Sequence, residues 1–514
     1  MNLVSSGPDT AKTVRGYKHP STRSFGARLL LVAALSIVCI LIVGVAAAQR
    51  SGNQPHWVAS WVTSPAAYFV YAPPVAQNQA LGTSATKYAV ATIQPDLKFP
   101  FPNANSTGAS NQSIRSIVKP DLWSNSIRIR LSNVFGDQPL TFNAVTVALQ
   151  EYAANLVKET ITPVSFNGSK SLTVPPGQEV WSDAISLSWV RNAADPLLQG
   201  RNLAISYSIQ NNSGHMTYHS AANTTSYITP SGSGNHTGDV DGFAYEYTTT
   251  SWFFLTAVDV TSPADNVVIC VFGDSITDGS HSTLNINDRW ADVFSRRLHK
   301  AYGNRVSVVN EAIGGNRVIA PAVANAASGP AAVDRLDRDV LGISGLTHVI
   351  WLEGINDLGA GYGQAAAANP VFETPVVHTA ENIIEGYKNV VGRLHAKSIK
   401  VFGATLISAL GYNDPAEGWD LKTYPAFLAS ADNGPVIDGH RKTLNQFIRT
   451  SKLFDGVIDF DQATLDPATG NMRAAYVPNS QFTQLPWDYL HPNHAGYNAM
   501  GSAIDVALFA PPHR

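Results

Sequence analysis

Six consecutive apolar residues, Val267-Val268-Ile269-Cys270-Val271-Phe272, divide this sequence into two kinds of chain. A strand with one wet face alternates apolar and polar residues. An unbroken apolar run of this length has no polar face, so it is read as a strand covered on both sides, as in a parallel sheet. The chain beyond it fits that reading. Candidate strands at Val306–Asn310, His348–Leu352, Lys400–Leu406 and Gly456–Phe460 alternate with candidate helices at Arg289–Tyr302, Ala331–Leu341, Ala380–Lys397, Gly439–Ser451 and Ala495–Leu508. Strands alternating with helices predict an α/β domain over residues 263–514, a parallel sheet with helices on both faces.

The chain before the run has a different pattern. Short stretches of period-two alternation recur at Ser126–Leu131, Thr141–Leu149, Ala184–Trp189, Leu203–Ile209 and Phe253–Val260, separated by turn clusters such as Pro175-Pro176-Gly177 and Asn211–Gly214. This spacing predicts an all-β sandwich or jelly roll over residues 51–262. The Gly/Ser-rich stretch 229–242 is read as a loop, and Thr261-Ser262-Pro263 as the seam between the halves. No internal repeat is visible.

Residues 29–48 are twenty residues without a charge, preceded by Arg15, Lys18, Arg23 and Arg28. That length spans a bilayer core, and the basic flank holds the N-terminus in the cytoplasm. The run ends in Ala46-Ala47-Ala48, which suits signal peptidase. Residues 1–50 are therefore read as a cleaved signal peptide in preference to an uncleaved signal anchor, and both readings export the rest. The expected location is extracytoplasmic, with contact to the membrane only through this segment. Cys39 lies inside the apolar run, so the exported part keeps only Cys270 and forms no internal disulfide. Six Asn-x-Ser/Thr sequons, at Asn105, Asn111, Asn167, Asn211, Asn223 and Asn235, are read as chance matches in a Ser/Thr/Asn-rich stretch.

Composition excludes other classes. With 35 basic against 38 acidic residues there is no basic excess to hold a nucleic acid. At 44% hydrophobic and a net charge of −3, the chain is not disordered.

Ligands of open α/β sheets bind beyond the carboxyl ends of the strands, so the residues following each candidate strand carry the chemistry. After the first comes Gly273-Asp274-Ser275-Ile276-Thr277-Asp278-Gly279. Ser275 at a strand-to-turn junction is a candidate nucleophile or a helix cap. After the second comes Asn310-Glu311-Ala312-Ile313-Gly314-Gly315-Asn316, where a glycine can offer a bare backbone N–H. After the third comes Gly354-Ile355-Asn356-Asp357, where the Asn356 amide can donate to an oxyanion or form an Asx turn. Near the C-terminus, Asp488 stands three residues before His491 and can hold the imidazole Nδ1–H, leaving Nε2 as a base. His494 is spaced for a metal pair with His491, but Pro492 interrupts the geometry, and His494 is read as the start of the final helix. Together these residues form the constellation for acyl transfer. The G-x-S-x-G elbow of α/β-hydrolases is absent, since Thr277 occupies the last position.

These four stretches resemble, in order, the four blocks of the SGNH hydrolases, the GDSL esterase/lipase family. The resemblance implies a flavodoxin-like three-layer α/β/α fold and a serine esterase without metal or cofactor. It places Ser275 as nucleophile, Asp488 and His491 as acid and base, and the Ser275 and Gly315 amides with Asn356 as the oxyanion hole. Ala312 stands where many members have Gly, and Ile276 where the motif has Leu. Ile127–Gly136, the Pro175-Pro176-Gly177 turn with Trp181-Ser182-Asp183, and the His219 region resemble the β-domain of a bacterial subgroup that includes acylhydrolases associated with xylan degradation. No functional residue is carried over from that second likeness.

The expected function is an exported serine esterase acting through an acyl-enzyme on a small-molecule or polysaccharide ester, short acyl (acetyl) esters first. A lipase or arylesterase is the alternative within hydrolases, and an inert carbohydrate-binding surface protein is the alternative outside them. Tyr412, Trp419 and Trp487 are candidates to line a sugar or acyl site, or to pack in the core. The sequence leaves the oligomeric state open.

Overall fold

The structure is a computed structural model that describes residues 56–67, 101, 107–263, 265–319, 328–358, 379–411, 434–478 and 489–512. The leader at 29–48, the sequon Asn105, and Tyr412, Trp419, Trp487 and Asp488 lie outside the described residues. No helix among the described residues is long and apolar enough to cross a membrane.

Among the described residues, the second half is built on five parallel strands: β1 (Val267–Gly273), β2 (Val306–Ala312), β3 (Leu346–Leu352), β4 (Lys400–Ala404) and β5 (Gly456–Ile458). Their spatial order is β2-β1-β3-β4-β5. That is the flavodoxin-like order, in which the winding reverses between β1 and β3 and leaves a crevice at that switch point. All seven residues of β1 are buried, as an apolar run without a polar face requires. Cys270, at the centre of β1, pairs with Val309 on one side and Val349 on the other. Its thiol is free, and burial pushes its pKa well above the usual range.

The described helices are α1 (Ser275–Asp278), α2 (Trp290–Tyr302), α3 (Ala332–Asp339), α4 (Ala380–His395), α5 (Gly434–Thr450), α6 (Phe460–Thr464) and α7 (His494–Ala503). α2 buries Trp290, Phe294 and Leu298, each contributing about 1.5–3 kcal/mol of apolar transfer. Arg297 on α2 donates to the carbonyls of Gly501 (2.8 Å) and Ile504 (2.6 Å), placing a cation at the C-terminal end of α7. Several elements end earlier than the sequence pattern suggests, two of them at a capping aspartate. The run Gly456–Phe460 leaves the sheet at Ile458, because Asp459 accepts from Gln462 N (3.1 Å) and caps α6, which starts at Phe460. The stretch Ala495–Leu508 is broken after Ala503, where Asp505 caps a separate 3₁₀ turn, Val506–Phe509.

The first half consists of antiparallel sheets. In one, Leu255–Thr261 lies between Trp57–Val62 and Ser126–Ser132. In another, Leu203–Asn212 lies between Ser110–Val118 and Leu140–Leu149. Phe142 stands edge-on to Tyr207 (5.7 Å) and Phe254 (5.9 Å), and the Tyr207 hydroxyl donates to the Phe253 carbonyl, so the second sheet packs on the segment that leads into Leu255–Thr261 of the first. A third, small sheet sets Thr217–His219 between Ala66–Ala67 and Trp252–Phe253. The expected strand Ala184–Trp189 shrinks to Ile185–Ser186 at an edge.

Residues His56–Arg514 form one compact unit. Ala59 in the first strand donates its N–H to Ser344 O (2.9 Å), and Ser307 Oγ on β2 donates to Ala59 O (2.7 Å). The antiparallel half is thereby fixed directly to the parallel sheet.

Candidate active site

The site forms at the carboxyl ends of β1, β2 and β3. β1 stops at Gly273, and Asp274 accepts from Ile276 N (3.0 Å) to cap α1. Ser275 is therefore the first residue of a short helix at the switch point. Its Oγ lies 2.7 Å from His491 Nε2. His491 sits in the turn before α7, and that turn is anchored by Asn493. Asn493 accepts from Gly496 N (3.1 Å) and donates to the carbonyls of Ala475 (3.0 Å) and Val477 (3.1 Å). The His281 ring is 5.6 Å from that of His491. His494 opens α7, with Nδ1 2.8 Å from Asp288 Oδ2, so the two histidines face different partners.

The loop after β2 lies against the serine turn. Asn310 Nδ2 donates to Thr277 O (2.8 Å), and Gly314 N donates to Asp278 Oδ2 (3.1 Å). A Cβ added at Gly314 would come within 4.0 Å of Ser275 Cβ. Gly315 follows at φ 77°, a left-handed conformation that a side chain disfavours. The loop after β3 ties into the same place. Asn356 Nδ2 donates to Asn316 O (3.0 Å), and Asp357 accepts from Val318 N (2.9 Å) and Ile319 N (3.2 Å). A primary amide has two N–H donors, so Asn356 holds the β2 loop with one and keeps a second. The structure thus brings Ser275, His491, Asn356 and the Gly314-Gly315 loop together.

Beneath them lies a buried charge network around Arg335 of α3. Its guanidinium donates to Gly273 O (3.1 Å), Glu311 O (2.7 Å), Asn316 Oδ1 (2.8 Å) and Ser64 Oγ (2.7 Å). The ends of β1 and β2 and the loop after β2 are therefore held by one side chain. Several carboxyls share this ground. Burial, then the nearby Glu353, pushes Asp274 well above the usual carboxylate range. Burial raises Glu353 as well, and raises Asp357 to about 7 against the lowering effect of its backbone donors. Glu311 is also held high by burial and by Asp339, while Ser64 Oγ donates to its Oε2 (2.6 Å).

A serine hydroxyl facing an imidazole Nε2 can lose its proton as the oxygen attacks a carbonyl. Residues 271–499 match the sequence profile of the GDSL-like lipase/acylhydrolase family. This part of the chain belongs to that family. The GDSL-like domain makes the protein an ester-hydrolysing enzyme, as the four sequence blocks imply. No curated protein matches the chain. Solved structures similar to it include a putative acylhydrolase from Bacteroides fragilis, at 18% identity, 47% of this chain, 86% of that one and a TM-score of 0.29. A lipase/acylhydrolase from Enterococcus faecalis is similar at 19% identity, 48% of this chain, 99% of that one and a TM-score of 0.31. An acetyl xylan esterase, AlAXEase, is similar at 17% identity, 46% of this chain, 96% of that one and a TM-score of 0.31.

Sequence reasoning missed Arg335, Asp278 and Ser64. Arg335 had a readable signal: it shares helical spacing with Ala332, Leu336 and Asp339, the buried side of α3, and not with the wet side. Ser64 and Asp278 carry no local signal, because their partners lie 247 and 36 residues away.

Proposed function

We propose that the GDSL-like domain cleaves carboxylic esters through an acyl-enzyme on Ser275. His491 Nε2 takes the hydroxyl proton as Oγ attacks the ester carbon, then gives it to the departing alkoxide. Asp488 orients the imidazole and stabilises its cationic form. The Ser275 and Gly315 backbone N–H groups and the second Asn356 N–H receive the oxyanion. Water then attacks the acyl-enzyme, again with His491 as base, releasing the carboxylic acid and free serine. The observation that carries this reading is the 2.7 Å contact between Ser275 Oγ and His491 Nε2.

Short acyl esters, acetyl groups on a polysaccharide among them, are the proposed substrates. The reading rests on the residues 29–48 as an export signal, on the β-rich half over 51–262 preceding the hydrolase over 263–514, and on the resemblance to xylan-associated acylhydrolases. Acetylated xylan, p-nitrophenyl acetate and long-chain p-nitrophenyl esters should be compared on the wild type and Ser275→Ala. Turnover of the acetyl substrates by wild type alone supports the reading. Wild-type turnover in Ser275→Ala overturns the mechanism, and a preference for the long chains overturns the substrate class in favour of a lipase.

A further inference from the structure

The antiparallel half reaches into the site through one buried histidine. His219 ends the central strand of the small third sheet, is 3% exposed, and lies tilted against Trp252 at 5.6 Å. Its Nδ1 is 3.0 Å from Ser64 O, and its Nε2 is 3.0 Å from Asp278 Oδ1. A carbonyl oxygen only accepts, so Nδ1 carries a hydrogen. Asp278 accepts at its other oxygen too, from Gly314 N (3.1 Å), so one carboxyl group bridges the histidine and the loop after β2. Arg289 adjoins the pair, but its Nε and Nη2 are taken by the carbonyls of Asp278 and Ala222 (both 2.6 Å). Asn223 Nδ2 adds a bond to Gly279 O (3.1 Å). Burial opposes the charge on His219, and Asp278 outweighs it, so the histidine titrates above its ordinary value.

Asp278 is the last residue of α1, the turn that Ser275 begins, and its Oδ2 holds the N–H of the residue before Gly315. We propose that His219 is a positioning residue of the esterase: through Asp278 it fixes the Gly314-Gly315 loop against the Ser275 turn. This rests on the reading of Ser275 as nucleophile and Gly315 as oxyanion donor. It gives the antiparallel half a part in turnover, not only in binding or stability. A loosened loop weakens the bond to the oxyanion, which exists only in the transition state, so the effect falls on kcat and not on KM.

The test uses the full chain with p-nitrophenyl acetate, comparing wild type, His219→Leu, His219→Gln and Asp278→Asn, with rates expressed per active site titrated by an alkyl phosphonate. Misplacing a catalytic group by an ångström costs about 10²-fold, so His219→Leu is expected to lose roughly ten-fold or more in kcat at near-constant KM. The glutamine amide can still donate to Asp278, and His219→Gln should recover most of that loss. A His219→Leu enzyme with wild-type kcat, or a loss that glutamine does not relieve, overturns the proposal. If His219→Leu does not fold, Asp278→Asn decides, because it keeps the shape and removes the charge; unchanged kcat there also overturns it. Ser275→Ala separates the two readings: an inactive Ser275→Ala beside a fully active His219→Leu leaves the nucleophile standing and removes only this inference.

Discussion

Arg335 donates to the carbonyl oxygen of Gly273 at 3.1 Å, from inside the core and on the peptide that leads into Asp274 and Ser275. The arginine is 1% exposed and faces Glu311, Asp339 and Glu353. Removing one partner of a buried ion network leaves the others without compensation, at a cost of about 3–5 kcal/mol. Arg335→Met should lower the free energy of unfolding in urea by that order. A variant as stable as wild type would show that the carboxyls simply hold protons in its place.

Ser275 and His491 should behave as one unit. The single variants Ser275→Ala and His491→Ala are expected to lose similar amounts of turnover, and the double variant little more, because either loss disables the same proton transfer. Losses that multiply in the double variant would mean that the two residues act independently despite their 2.7 Å contact.

Asn356→Ala is expected to reduce turnover by about 10²–10³ with little change in KM, as for loss of one oxyanion donor. Gly354→Ala should produce a milder version of the same defect. Gly354 has φ 130°, and an added Cβ would lie 2.8 Å from the Tyr387 hydroxyl oxygen, so the substitution must shift the backbone that carries Asn356. Steady-state kinetics on p-nitrophenyl acetate check both. An effect confined to KM would place Asn356 in ground-state binding.

Stability should show a pH window set by Asp121 and His299, which lie 3.0 Å apart. Burial opposes both charges. His299, with Lys119 and Ser295, nevertheless holds Asp121 below 3.8, while Asp121 and the Gly303 carbonyl hold His299 above 6.5. The depressed carboxylate contributes fully above 3.8 and loses that contribution as pH falls through its folded value. The raised histidine contributes fully below 6.5 and loses it as pH rises through its folded value. The difference in Tm between wild type and His299→Gln should therefore be greatest between 3.8 and 6.5 and narrow on either side. A difference that does not vary with pH would show that the pair is not ionised.

The parallel half was legible because its strands are buried on both faces, and burial of that kind leaves a continuous apolar run such as Val267–Phe272. The antiparallel half hid two of its main strands. Ser110–Val118 reads as polar, yet Gln112, Ser113, Arg115 and Ser116 are all fully buried. Arg115 is satisfied by Ser206 Oγ (2.9 Å), the Ala154 carbonyl and the Asp239 carbonyl (2.9 Å), and it lies over the Tyr245 ring at 4.2 Å. No window of sequence contains those partners. Trp57–Val62 is buried from its second residue onward and shows no alternation. At the site, Ser275, Gly315 and Asn356 follow strands and could be found by position, and His491 by its spacing from Asp488. His219, Ser64 and Arg335 support them from elements distant in the chain; of the three, only Arg335 is marked locally, by its place on the buried side of α3.

Cys270 gives the fold a built-in reporter. Its sulfur lies at the middle of β1 with none of its surface open to solvent, and alkylating reagents attack only an exposed thiolate. In a chain carrying Cys39→Ser, the rate of labelling therefore counts how often β1 is released from both of its neighbours. Because β1 lies at the switch point, with Ser275 two residues past its end, that rate measures the opening of the platform on which the nucleophile stands. Bound ester analogues that tighten the platform would be detected as slower labelling, with no probe added to the protein.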